Sequence, residues 1–194
     1  MSCECNKAMR LFIAINFPDE IKAAIVEIRN IIEKAALRGR FTFDENLHFT
    51  LVFLGECDVR QTEAVKTVMN DTIFSKFTLM LDKVGYFKRD NGNTWWIGLK
   101  ENNSLSDLQA DLTERLRQKG FTLESRKYTP HVTIGREVKI SAGFIKSEVP
   151  QVKFDVTNIE LMKSERINGK LVYTPVFRKI GELTASGESA VDVH

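Results

Sequence analysis

Residues 47–54 read Leu-His-Phe-Thr-Leu-Val-Phe-Leu, and residues 131–134 read His-Val-Thr-Ile. Both stretches hold an imidazole and a hydroxyl two positions apart within a run of apolar and β-branched residues. On a strand, residues i and i+2 point to the same face. His48 and Thr50 therefore share one face, while Phe49 and Leu51 share the other. His131 with Thr133, and Val132 with Ile134, repeat that arrangement. Each stretch predicts a strand with an apolar side for a core and a His-Thr side for a cleft. The chain has three histidines, and the third, His194, is the last residue. Threonine fills 14 of 194 positions, so finding it two residues after both internal histidines is rare by chance.

The surroundings of the two stretches read as follows. Leu11–Asn16 (LFIAIN) is a short apolar run, expected as a buried strand. Pro18, Asp19 and Glu20 mark a helix start, and Ile21, Ala24, Ile25, Ile28, Ile31, Ile32 and Ala35 recur as one apolar face. That helix is expected to end before Gly39, leaving Arg38 and Arg40 in the loop that leads to His48. Gly55 to Asp58 punctuates the first histidine strand. Val59, Val65, Val68 and Met69 predict a second amphipathic helix. Phe77–Phe87 alternates like a strand, Asn91-Gly92 is a hairpin signal, and Thr94–Leu99 is the return strand. Ser104 is the expected N-cap of a third helix with a Leu105, Leu108, Leu112 and Leu116 stripe, stopped by Gly120. A short helix is expected over 141–147, then a strand over Phe154–Met162. Asn168-Gly169 signals a second hairpin, and Leu171–Phe177 reads as an edge strand because it contains Pro175.

This order repeats itself. Strand, helix, His-bearing strand, helix, strand and Asn-Gly hairpin occur twice. Leu11–Asn16 corresponds to residues 95–100 at an offset of 84, His48 to His131 at 83, and the two hairpins at 77. Order and spacing together point to a duplicated unit. The predicted class is α+β: a bilobal fold of duplicated lobes of antiparallel sheet, with helices outside and a central cleft. The expected organisation is an N-terminal tail over 1–8, one bilobal domain over 9–181, and a disordered tail over 182–194.

Composition narrows the class further. The chain has 28 Lys+Arg and 26 Asp+Glu, with 43% hydrophobic residues, which excludes a low-complexity or disordered chain. The formal charge of +2 neither demands nor excludes a nucleic-acid partner. No apolar run is long enough to span a bilayer, so no membrane association is expected. The opening MSCECNKAMR lacks the apolar region of a secretory signal, and a cytoplasmic location is the default expectation. Cys3, Cys5 and Cys57 make no disulfide framework, and Cys3-x-Cys5 has no matching Cys/His pair for zinc. No acyl-transfer signature surrounds Cys57, so a Cys/His nucleophile is a weak reading.

Two imidazoles and two hydroxyls suit phosphate chemistry. A neutral imidazole takes a proton from water, and an imidazolium gives one to a leaving oxygen. Threonine hydroxyls can hold non-bridging phosphate oxygens. Charge on those oxygens calls for a cation, and Arg136 follows His131 by five residues. Arg126, Lys127, Arg38 and Arg40 read more simply as solvated charges. Of Trp95 and Trp96, one is expected inward and one outward. No metal and no cofactor are implied.

LFIAI at 11–15, ENLHFTLVFLGE at 45–56 and TPHVTIGR at 129–136 resemble the RNA 2′,3′-cyclic phosphodiesterases of the two-histidine phosphoesterase superfamily, also described as 2′–5′ RNA ligases. The resemblance spans about residues 9–181, and the family's bilobal fold agrees with the duplication. It implies metal-independent opening of a 2′,3′-cyclic phosphate end of RNA, or of a small nucleotide, to a 2′-phosphate. It implies His48 as proton donor, His131 as proton acceptor, and Thr50, Thr133 and Arg136 as phosphate ligands. The residues alone do not assign acid and base, because the two halves are nearly symmetric. Reverse 2′–5′ ligation, a different small cyclic or ADP-ribose phosphodiester, and a non-catalytic nucleotide-binding module remain open alternatives. A monomer with no obligate protein partner is expected.

Overall fold

The structure is a computed structural model, and it describes residues 8–140 and 149–182. The helix expected over 141–147, both cysteines of the N-terminal tail, and the tail from residue 183 to His194 lie outside the described residues.

The order of elements is β1 (Met9–Asn16), α1 (Asp19–Ala35), β2 (Ala36–Phe41), β3 (His48–Cys57), α2 (Val59–Asp71), β4 (Phe77–Phe87), β5 (Asn93–Leu99), α3 (Asn103–Gln118), β6 (His131–Ile140), β7 (Lys153–Val156), β8 (Asn158–Ile167) and β9 (Lys170–Ile180). A single 3-10 turn, Asp44–Asn46, precedes β3. The strands form two sheets, ordered β3-β1-β8-β9 and β2-β6-β5-β4-β7. Every pairing between these strands is antiparallel. The predicted α+β class with two antiparallel sheets is therefore what the chain adopts.

The repeat is visible in the strand order. β3-β1-β8 in one sheet matches β6-β5-β4 in the other. The last strand of each repeat, β4 or β8, crosses into the sheet of the other repeat. The helices cross as well: α1 follows β1 yet packs on β2 and β6, and α3 follows β5 yet packs on β3. One buried cluster consequently runs through both sheets, from Leu11, Ile13 and Ile15 to Ile97, Val132, Ile134 and Leu161.

Local sequence explains most element boundaries. Ile21, Ile25, Ile28 and Ile32 are the buried face of α1, and Leu105, Leu108, Leu112 and Leu116 that of α3. Asp58 caps α2 through a capping box with Gln61. Asn168 and Gly169 both take positive φ, 50° and 81°, as a tight two-residue hairpin requires.

Three expectations need correction. Residues 36–41 are not a loop: they form β2, paired with β6, and Arg38 and Arg40 lie within it. The N-cap of α3 is Asn102, whose side chain accepts from the N–H of Leu105 at 2.9 Å, and not Ser104. The strand expected over Phe154–Met162 is two strands, β7 and β8, which break at Thr157 and belong to different sheets.

Candidate active site

His48 opens β3 and His131 opens β6, and these two strands meet where the sheets approach each other. Phe49 and Val132 are fully buried, as are Leu51 and Ile134 on the same side. The His-Thr faces are half-buried, and the two rings are near enough for charge on His131 to act on His48. A hydroxyl from the other lobe ties the strands: Tyr128 donates to the carbonyl of Thr50 at 3.1 Å.

Both imidazoles are held in the same way. Nδ1 of His48 lies 2.8 Å from the carbonyl of Asn46, and Nδ1 of His131 lies 2.7 Å from the carbonyl of Thr129. A carbonyl only accepts, so Nδ1 carries hydrogen in both rings and Nε2 is the nitrogen left for chemistry. Nε2 of His48 lies 3.0 Å from Oγ1 of Thr50. Among the described residues, no protein group bonds Nε2 of His131.

The segment that carries the Asn46 carbonyl is itself braced. Asn46 is buried, and its Nδ2 donates to the carbonyl of Leu171 in β9 at 2.8 Å. Arg29 of α1 donates to the carbonyl of Thr42 at 2.7 Å and pairs with Asp44, bracing the loop before His48. Thr42 in turn donates through Oγ1 to the carbonyl of Thr133 at 2.9 Å.

Aromatic rings wall each histidine. Phe12 and Tyr173 lie 4.8 and 5.0 Å from the His48 ring. Phe87 and Trp96 lie 5.2 and 6.3 Å from the His131 ring. Phe12 and Trp96 occupy matching places, 84 residues apart, so the repeat extends to the walls. Trp95 is the inward member of the pair, at 4% exposure, and Trp96 the outward one, against His131.

Burial disfavours an imidazolium. It pushes the pKa of His48 down from 6.5 to about 4, against an opposing push from the Asn46 carbonyl. His131 is lowered too, again chiefly by burial, with the Thr129 carbonyl opposing. Arg136 adds to both shifts, so its positive charge is felt at both rings. Its guanidinium is exposed, and among the described residues it has no carboxylate partner.

The position of Arg136 needs a specific device. Five residues after His131, it would face away from the cleft in a regular strand. The register runs Trp96 with Thr133 and then Trp95 with Gly135, leaving Ile134 as an extra residue. That bulge reverses the alternation and brings Arg136 round to the histidine face. Glu137, next along, has φ of 56° and pairs with Arg40. Of the other basic candidates, Arg38 donates to the carbonyl of Asn91 and Arg126 pairs with Glu124.

Cys57 is buried, and its thiol is pushed up to about 11 by that burial and by Asp58 and Glu56, which makes it a poor nucleophile. Among the described residues, no group of three or more His, Cys, Asp or Glu could hold a metal ion. No helix there is long and apolar enough to cross a membrane.

The model of the 2′-5′ RNA ligase superfamily matches residues 17–168. The chain belongs to that superfamily. This member is 34% identical to an RNA 2′,3′-cyclic phosphodiesterase of Thermotoga maritima, over 92% of the chain and 97% of the relative. It is 29% identical to the protein of the same name from Escherichia coli, over 89% and 97%. Among solved structures, E. coli LigT complexed with 3′-AMP aligns with a TM-score of 0.77 at 30% identity, covering 92% of this chain and 99% of that one. A crystal structure described as a phosphoesterase aligns with a TM-score of 0.81 at 29% identity, over 90% and 99%. The superfamily member's strand order and its two histidine strands thus sit within an established fold.

Proposed function

We propose that this chain hydrolyses 2′,3′-cyclic phosphate ends of RNA, or of small nucleotides, to 2′-phosphate ends without a metal. The observation that carries this reading is the paired presentation of two imidazoles. Each is locked through Nδ1, each offers Nε2, and one guanidinium acts on both. The names and coverage of the relatives support the same chemistry.

The reaction needs one proton removed and one supplied. His131 Nε2 takes a proton from water, and the water oxygen attacks phosphorus. The bond from phosphorus to O3′ breaks, and His48 Nε2 gives its proton to O3′. A 2′-phosphomonoester and a 3′-hydroxyl result. Thr50, Thr133 and Arg136 hold the non-bridging oxygens, with Arg136 matching charge that grows there. In the free protein His48 resists protonation, but a phosphodiester anion beside it favours the imidazolium and restores the proton it must donate. With a 5′-hydroxyl in place of water as nucleophile, the same steps form a P–O5′ bond, break the P–O3′ bond and join the 2′,3′-cyclic phosphate end to that hydroxyl through a 2′–5′ linkage.

The test is product chemistry. Chelator-treated protein acting on a short RNA with a 2′,3′-cyclic phosphate end is expected to yield a 2′-phosphate only. A 3′-phosphate product, or loss of turnover in chelator, would contradict the reading. The acid and base assignment has its own test. On bis(p-nitrophenyl) phosphate the leaving phenolate needs little protonation. His48→Ala should then lose far less than on RNA, while His131→Ala should lose as much on both.

A further inference from the structure

Four cations share the histidine face of the second sheet. β2 is the edge strand of that sheet and β6 its neighbour. Arg40 pairs with Arg136, and Arg38 with Lys139, so like charges stand opposite each other twice in succession. A Cβ on Gly39 would meet Val138 and Phe41, which places Gly39 inward and Arg38 and Arg40 on the outer side. Val138 is buried, while Arg38, Arg40, Arg136 and Lys139 are all exposed. The strip starts in the cleft, since Arg136 is the guanidinium whose charge acts on both histidines. From there it crosses one strand spacing, about 5 Å, and follows β2 for two residues, about 7 Å.

Folding alone does not favour this arrangement, because like charges directly opposite on neighbouring strands are destabilising. One carboxylate relieves it in part: Glu137 pairs with Arg40. Arg38 donates to the carbonyl of Asn91 at 3.1 Å, which leaves its charge uncancelled. Among the described residues, Arg38, Arg136 and Lys139 have no carboxylate partner. Charge on an edge strand guards against pairing with other chains, but β2 alone meets that need. Arg136 and Lys139 belong to β6, an inner strand, and add nothing to it. Nor is the strip a share of a generally basic protein, since the whole chain carries a formal charge of only +2. Four cations around one carboxylate, leading out from the place of the reacting phosphate, match an anion that carries its charges in a row.

We propose that Arg38, Arg40 and Lys139 form a track for the phosphate backbone of an RNA chain, holding the one or two phosphates on the 5′ side of the cyclic phosphate. The proposal rests on the reading of the site as a cyclic phosphodiesterase and names the substrate class: the end of an RNA chain in preference to a mononucleotide. Phosphate contacts carry no base information, so the track accepts any sequence.

The experiment compares a six-nucleotide RNA ending in 2′,3′-cyclic phosphate with adenosine 2′,3′-cyclic phosphate, which has no upstream phosphate. The wild type should prefer the RNA in kcat/KM, and salt should erode that preference. Arg38→Gln with Lys139→Gln should raise KM for the RNA about tenfold more than for the mononucleotide at low salt. Each phosphate contact on a single strand contributes about 0.7 to the slope of log KM against log salt, so this double variant should lower the slope by up to about 1.4. Arg38→Lys with Lys139→Arg keeps both charges and should keep the preference. Arg60→Gln with Lys66→Gln removes the same charge from α2 and should keep it too. Equal losses on both substrates, an unchanged salt slope, or as large a loss from the charge-conserving or the α2 variant would overturn the proposal. A second readout does not depend on turnover. Fluorescence anisotropy of a labelled six-nucleotide RNA ending in a 2′-phosphate should show the same fall in affinity and in salt slope. If the wild type turns over neither substrate, the proposed reaction fails. The anisotropy still decides the track, since equal binding by the wild type and the double glutamine variant refutes it.

Discussion

Each imidazole owes its orientation to a carbonyl two residues before it, Asn46 for His48 and Thr129 for His131. That bond fixes the tautomer, and burial then holds both rings neutral near pH 7 in the free protein. The pH profile follows. One ring must be protonated and the other neutral, so kcat/KM is expected to be bell-shaped. Since both pKa values are lowered from 6.5, the centre of that bell should lie below pH 6.5. The profile of kcat, which reports the loaded site, should move to higher pH because the phosphate anion favours imidazolium. A kcat/KM bell centred above 6.5 would contradict the burial argument. The same shift bears on stability. A histidine with a lowered folded pKa favours folding above its unfolded value and loses that contribution as pH falls. Wild-type thermal stability should therefore decline between pH 6.5 and about 4. His48→Gln should flatten that decline, as pH-dependent melting curves would show. The two histidines and two threonines were legible in the sequence because strand alternation alone puts them on one face. The aromatic walls were not, because Phe12, Phe87, Trp96 and Tyr173 come from four strands whose pairing is set by the fold.

At the level of elements, bulges decide what the cleft contains. Alternation in an unbroken strand points Arg136 away from His131, and only the extra Ile134 turns it inward. Bulges leave no periodic mark in a sequence, so the face of Arg136 could not be derived from its spacing. β2 was missed for a different reason. Four of its six residues, ALRGRF, are exposed, two of them arginines, and the stretch shows no apolar alternation. They become a strand because β6 offers them an edge. The third helix's cap was displaced by two residues because Asn102, like Ser104, is a good capping residue and the fold uses the earlier one. A glycine carries a further consequence. A Cβ on Gly85 of β4 would come within 2.2 Å of the Trp96 ring, which packs beside His131. Gly85→Ala should displace that ring and lower kcat/KM at least tenfold, at a stability cost of about 1–3 kcal/mol. An alanine variant with wild-type kinetics would show that the Trp96 wall does not position His131.

Across the whole molecule, the halves exchange strands and helices. β4 and β8 each join the other repeat's sheet, and α1 and α3 each pack on the other repeat's histidine strand. The duplication was legible from element order and offsets, but the exchange was not, because local pattern says nothing of which sheet a strand joins. With one buried cluster spanning both sheets, neither lobe can keep its core alone. We therefore propose that residues 9–181 behave as one unit, with a single thermal transition that coincides by calorimetry and far-UV dichroism. Two separate transitions would contradict it. The exchange also bears on catalysis, since it fixes the two histidine strands against each other, and the account stands on that pairing. The most direct test is the single-turnover rate on an RNA bearing a 2′,3′-cyclic phosphate end, in excess chelator, for the wild type, His48→Ala and His131→Ala. Each variant, folded as the wild type is, should be slower by about 10²–10⁴-fold. A near wild-type rate from either variant would contradict paired acid and base catalysis by His48 and His131.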